Sequence, residues 1–186
     1  MSAKLLIYSI VAISSHWIAA FVQAFLHRLL GHNRIGGPLC STHTGSHHAI
    51  YSGEKLSASA YSVDEKSLTA AYLAPALIIG VVAYWALPWR IFLIGSVALT
   101  ASYIAHVYVH THYHLDQTPL ARWGWFRRRR VLHFVHHQDG HKNFAILRFG
   151  CDRLMGTYRD PDPIVSRSSR LSSSRKASSR SLKETC

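Results

Sequence analysis

The stretch Val131–Thr157, V-L-H-F-V-H-H-Q-D-G-H-K-N-F-A-I-L-R-F-G-C-D-R-L-M-G-T, decides how the rest of the chain is read. Its front half sets His133, His136 and His137 in an H-x-x-H-H box. Helical residues three and four apart share a face, so the spacing predicts three imidazoles converging on one point. Neutral imidazole is the commonest metal ligand in proteins. The back half, N-F-A followed by D-R-L-M-G-T, is poor in ligands and reads as a structural seam. Asp139 and Asp152 are candidates for orienting imidazoles, with His141 beside them. Asp152 suits equally the cap of a helix starting near Arg153.

The chain upstream brings more histidines to this box. His27 and His32 form H-x4-H, a spacing of five that turns ~500° on an α-helix and suits one face poorly. Gly31 is expected to relax the backbone there and let His32 swing back. His43, His47 and His48 form H-x3-H-H. On a helix His43 and His47 share a face, while His48 points ~100° away, toward a second metal. His106, His110 and His114 make an i, i+4, i+8 stripe with His112 on the far side. His106 and His110 are expected as ligands and His114 as a supporting residue. The expected ligand set is thus His27, His32, His43, His47, His48, His106, His110, His133, His136 and His137. That is too many for one metal, so two metals are implied.

Between the boxes lie apolar runs, Leu5–Leu26, Leu68–Leu87 and Ile91–Val109. About 20 helical residues cross the ~30 Å hydrocarbon layer, so three spanning helices are expected. Pro75 is expected to kink the second, and Pro88 to break the chain into a tight hairpin before the third. Leu5–Leu26 is read as a span and not a signal peptide, because no A-x-A-like site follows and the run ends directly in His27. His16 is read as a polar residue facing the bundle, since ~16 Å of helix separate it from His27.

The 186 residues suffice for one domain, and 48% are hydrophobic. Fourteen histidines stand against nine Asp and Glu, and the net charge is +12. With such apolar runs, this basic balance points to an anionic membrane face and away from nucleic acid. Trp123, Trp125 and Phe126 beside Arg127–Arg130 fit a segment at headgroup level. Residues 1–162 read as the domain and 163–186 as a disordered basic Ser/Arg-rich tail. Cys40, Cys151 and Cys186 form neither a zinc ribbon nor a disulfide framework. No Glu-x-x-His pair of the carboxylate-bridged di-iron type occurs, nor any H-E-x-x-H.

The boxes H-R-L-L-G-H, H-T-G-S-H-H, H-V-Y-V-H and H-F-V-H-H, in that order, with the closing N-F-…-D-R-L-M-G-T, resemble the fatty acid hydroxylase/sterol desaturase superfamily. The resemblance runs from Leu26 to Tyr158. It implies an all-α membrane bundle of about three spanning helices under a cytosolic histidine-rich di-metal cap. It implies two iron ions, with zinc able to substitute, and O2 as co-substrate. It also implies a fatty acyl, sphingolipid or sterol-type lipid substrate. Electrons would come from outside the chain, through a cytochrome b5- or ferredoxin-type donor with its reductase. A multi-pass protein of the endoplasmic reticulum or of a bacterial inner membrane is expected. Three alternatives stay open: a lipid desaturase, because H-x3-H-H has the longer, desaturase-like spacing; a carotenoid hydroxylase; and a non-catalytic histidine-rich metal-binding protein.

Overall fold

The computed structural model describes residues 2–61 and 77–161. Among these the chain is helical, with one isolated β-bridge, Ala58 to Leu115. Helix α1 spans Ala3–Leu26, and its first turn is capped by Ser2, whose Oγ accepts from the Leu5 N–H at 3.4 Å. It continues into a π-helical turn, His27–Gly31. After a 3-10 turn at Arg34–Gly36, short helix α2 covers Pro38–Thr42, and a second π-helical turn covers His43–His48. Helix α3 is described over Leu77–Ala86. Helix α4 runs Trp89–Tyr113, α5 runs Gly124–Gln138, and α6 is the single turn Gly150–Leu154.

Two helices, Ala3–Gly31 and Trp89–Tyr113, are long and apolar enough to cross a membrane. Only 11% and 6% of their most apolar windows are buried within the protein, which sets them apart from the core helices of a soluble domain. Leu5, Ile10, Ile13, Ile18, Val97 and Ile104 all face outward, leaving a surface suited to lipid. Residues 68–76 of the expected span Leu68–Leu87, Pro75 among them, lie outside the described residues, and the rest of it, up to Ala86, is α3. The basic tail also lies outside the described residues. The Pro88 break is where α4 begins, since Pro88 directly precedes it.

Helices α1 and α4 run side by side in the same direction. A Cβ on Gly95 would sit 3.4 Å from Ser15 Oγ, so the helices touch closely there. Further along, His16 meets Ser102. Both helices therefore deliver their histidine ends to one side. There, Ala20 and Ala24 of α1 pack with Leu132, Ala145, Phe149 and Cys151. Val109 and Tyr113 of α4 pack with Phe126 and Ile146. The small alanines let α5 and the seam approach the backbone of α1, and the two apolar clusters flank the histidines.

Candidate metal centre

Nine histidines form two groups. His27, His32, His43, His48 and His136 each offer a ring nitrogen to the first, and His47, His114, His133 and His137 to the second. Within each group the offered nitrogens lie within 4.8 Å of one another. The groups adjoin: the rings of His48 and His137 stack at 4.2 Å between centroids.

The backbone explains this partition. A π turn closes i→i+5 hydrogen bonds and so brings residues five apart toward one face. His27 and His32 bracket the first such turn, and both enter the first group. His43 and His48 bracket the second and also share the first group, while His47 turns to the other. The α-helical expectation paired His43 with His47 and sent His48 away; the π geometry reverses it. The expected convergence of His133, His136 and His137 on one point is corrected likewise. In α5, His133 and His137 are one turn apart and enter the second group, while His136 enters the first. Gly31 makes the first turn compact: a Cβ there would meet His27 Cδ2 at 3.0 Å and His43 Cδ2 at 3.1 Å.

The outer nitrogens of three rings are pinned to the backbone. His27 Nδ1 donates to the Phe144 carbonyl at 2.7 Å, His136 Nδ1 to the Lys142 carbonyl at 2.8 Å, and His114 Nδ1 to the Leu56 carbonyl at 2.9 Å. A carbonyl only accepts, so each proton is on Nδ1 and each Nε2 presents a bare lone pair inward. The Nε2 atoms stand 2.9 Å apart for His27 and His43 and 3.1 Å for His48 and His136. In the second group they stand 2.9 Å apart for His114 and His133 and 3.1 Å for His133 and His137. Two nitrogens bound at right angles to one ion at about 2.1 Å would lie about 3 Å apart. His133 Nε2 faces two other Nε2 atoms, and one N–H can serve only one of them; a cation at the common point serves all three. His32 Nε2 is buried with no hydrogen-bond partner. The donor set and its spacing fit two metal ions.

Electrostatics agree with that fit. Burial is the largest cause holding His43, His47, His133, His136 and His137 well below the usual imidazole range, with the neighbouring histidines adding to it. His32 is pushed down to about 2 by burial, then by His27, His48 and His141. Neutral rings keep the lone pairs that a metal requires.

The seam supplies the outer support. Asp152 accepts from the backbone N–H of Phe144 at 2.7 Å and of Ala145 at 3.0 Å, and from Thr157 Oγ1 at 2.8 Å. Burial pushes its carboxyl up, while those hydrogen bonds pull it down. Asn143 adopts a left-handed φ of 55°, which Asn tolerates better than most residues. Its amide donates to the carbonyls of Leu132 at 3.1 Å and Arg159 at 2.8 Å. Asp152 thus supports His27 through the Phe144 backbone, without touching the ring.

The expected and grouped residues differ at particular places. His114 stands inside the second group, whereas it was expected as a supporting residue. His110 packs its ring 4.8 Å from His47 and 4.9 Å from His133 but lies outside the grouped set, and His106 lies beyond it. Asp139 binds the His141 N–H at 3.1 Å and Arg159 at 3.2 Å, and His141 is exposed. His112 bonds to Thr118 on the far side, at 2.8 Å. Tyr51 is buried and stacks on His114 at 4.1 Å. Arg130 donates to the carbonyls of Tyr113 and Leu115, both at 2.8 Å, and so holds the end of α4 beside His114. Tyr51, Asn143 and Arg130 were invisible as site residues in the sequence; only the left-handed tolerance of Asn143 left a signal.

Fold and site together define a helical protein with two long apolar helices and, gathered at their ends from several elements, a pair of histidine groups able to hold metal ions. A family model described as fatty acid hydroxylase matches residues 12–157. The chain belongs to that family, within the fatty acid hydroxylase/sterol desaturase superfamily, whose members are membrane-associated oxidoreductases. The match extends the expected range N-terminally to take in His16, and it ends at the seam residue Thr157. No curated protein and no solved structure matches the chain.

Proposed function

We propose that the chain is an O2-dependent di-iron monooxygenase that hydroxylates a C–H bond of a membrane lipid of fatty acyl, sphingolipid or sterol type. The observation that carries this reading is the pair of all-histidine groups at the ends of two lipid-facing helices. His27, His32, His43, His48 and His136 would hold one iron, and His47, His114, His133 and His137 the other. Bound there, iron supplies the binding and reduction of O2. The chain's own residues orient the ligands, exclude water by burial and present one carbon of the lipid. One oxygen atom enters the lipid and the other leaves as water, with two electrons and two protons supplied from outside. No G-x-G-x-x-G fingerprint marks a nucleotide site, so a cytochrome b5- or ferredoxin-type donor with its reductase is assigned that role. The longer spacing of the His43–His48 box, which lies on a π turn, keeps desaturation as the alternative outcome at the same site.

Topology follows the same reading. Parallel α1 and α4 call for a return crossing, on which α3 lies, giving three spans. Arg127–Arg130 sit on the histidine side, so that side is assigned to the cytosol, with the N-terminus across the membrane. Residues 1–162 act as the domain, and the tail is dispensable for catalysis. A reporter at Ser2 on the same side as one at Cys186 would reject this topology.

The reaction is tested with 18O2, the iron-loaded protein and a reductase chain. The expected product carries one labelled hydroxyl. An unlabelled new double bond would replace hydroxylation by desaturation. Tight metal binding with no oxidised lipid would favour the non-catalytic reading.

A further inference from the structure

Arg148 leaves the seam and reaches α1 at His16 and Trp17, the level to which the non-helical seam descends along that helix. Its Nε donates to His16 Nε2 at 3.0 Å, and its guanidinium lies over the Trp17 ring, 4.9 Å from the centroid. Arginine only donates, so His16 Nε2 accepts and the imidazole proton sits on Nδ1. That Nδ1 donates to Ser102 Oγ at 2.8 Å, and the Ser102 hydroxyl donates to the Ala98 carbonyl at 2.7 Å. The chain of bonds ends there with every proton placed. Neither His16 nor Ser102 neutralises the guanidinium charge. Among the described residues, Arg148 has no carboxylate partner, and its two terminal nitrogens donate to no protein acceptor.

The surroundings make this unusual. Trp17 is 44% exposed, and Ile13, Ile18 and Phe21 beside it on α1 also face outward. A cation in such apolar surroundings is costly unless an anion or water meets it. A brace between seam and α1 needs only the Nε bond and the ring contact. The remaining fork of N–H donors matches the two oxygens of a carboxylate or phosphate.

We propose that Arg148, flanked by Trp17 and fixed by the His16–Ser102 bracket, binds the anionic group of a lipid, a fatty-acid carboxylate or a phospholipid phosphate. The site lies about 16 Å along α1 from His27 and outside both histidine groups. It requires no oxidation chemistry, so binding alone tests it.

The test uses the full metal-loaded chain in neutral detergent and reads lipid retention by native mass spectrometry. One arm pairs oleic acid with methyl oleate, the other dioleoyl phosphatidate with dioleoyl phosphatidylcholine. Wild type should favour the anionic member of at least one pair by about tenfold, as a charge-assisted pair of hydrogen bonds allows. The arm that responds identifies the source of the anion. Arg148→Gln should erase the preference while both metals stay bound. No preference in wild type overturns the proposal. So does a preference that survives in Arg148→Gln, because it then belongs to other cationic residues of the chain. Should Arg148→Gln lose its metals, Arg148→Lys decides. Lysine keeps the charge but not the fork, so a diminished preference supports the site and an undiminished one overturns it.

Discussion

Phe144 joins His27 to Asp152: its carbonyl accepts from His27 Nδ1 at 2.7 Å, and its own N–H donates to the Asp152 carboxylate at 2.7 Å. One peptide segment thus connects the seam to the first histidine group. The aspartate sets the position of the backbone, the backbone sets the tautomer of the ring, and the ring then turns its lone pair inward.

Asp152→Ala should uncouple this link. It strands two buried backbone N–H groups and removes the nearer of two acceptors for the Thr157 hydroxyl. Unfolding stability should fall by about 3 kcal/mol, and metal affinity at the first group by about tenfold or more. Thermal unfolding and a metal titration read the two effects. An unchanged affinity would show that the Phe144 carbonyl does not orient His27.

His114→Ala and His106→Ala separate the structural grouping from the helical-stripe expectation. The second group has four histidines, and His114 is one of them. Loss of His114 should weaken metal binding in that group, leaving His47, His133 and His137 to hold the ion. His106→Ala should leave both metals bound. Metal analysis of the two purified variants gives the answer, and the opposite ranking would restore the stripe.

Gly31→Ala tests the first π turn. The added methyl would press on His27 and His43 at 3.0 and 3.1 Å. Alanine also favours helix over glycine by about 1 kcal/mol. The metal-free variant should therefore hold or gain stability while metal affinity falls about tenfold, the scale of a displaced ligand support. A variant with native affinity would mean that the rings move aside freely.

Chelation should destabilise the wild-type chain. His133 Nε2 faces two other Nε2 atoms and can satisfy only one of them with a proton, so removing a cation leaves the group short of a donor. Metal held at about a hundredfold above its dissociation constant stabilises by about 2.7 kcal/mol. The melting temperature should drop on adding chelator and recover with iron or zinc. Indifference to the chelator would remove the metals from the account.

The apolar helices and the histidine-rich character of the site are legible in the chain because they rest on composition and on contacts close in sequence. His136 and His137 are adjacent, so any helix splays them apart by about 100°. That splay gives each metal group one of the pair, but periodicity cannot say which neighbours each will meet. The assignment of His43 and His48 to one group depends on a π turn that no residue in H-T-G-S-H-H announces.

The sequence by itself determined that apolar helices would bear clustered imidazoles, since hydropathy and histidine spacing are local properties of the chain. Tertiary structure alone decided that His114 joins the second group while His106 does not. His114 sits where α4 ends, its Nδ1 held by the carbonyl of Leu56 and its ring covered by Tyr51. Those partners lie some sixty residues away along the chain. The same holds for Arg148, which meets His16 across a separation of 132 residues. Such pairings are set by how α1, α4 and the seam pack in three dimensions, and no local pattern of residues encodes them.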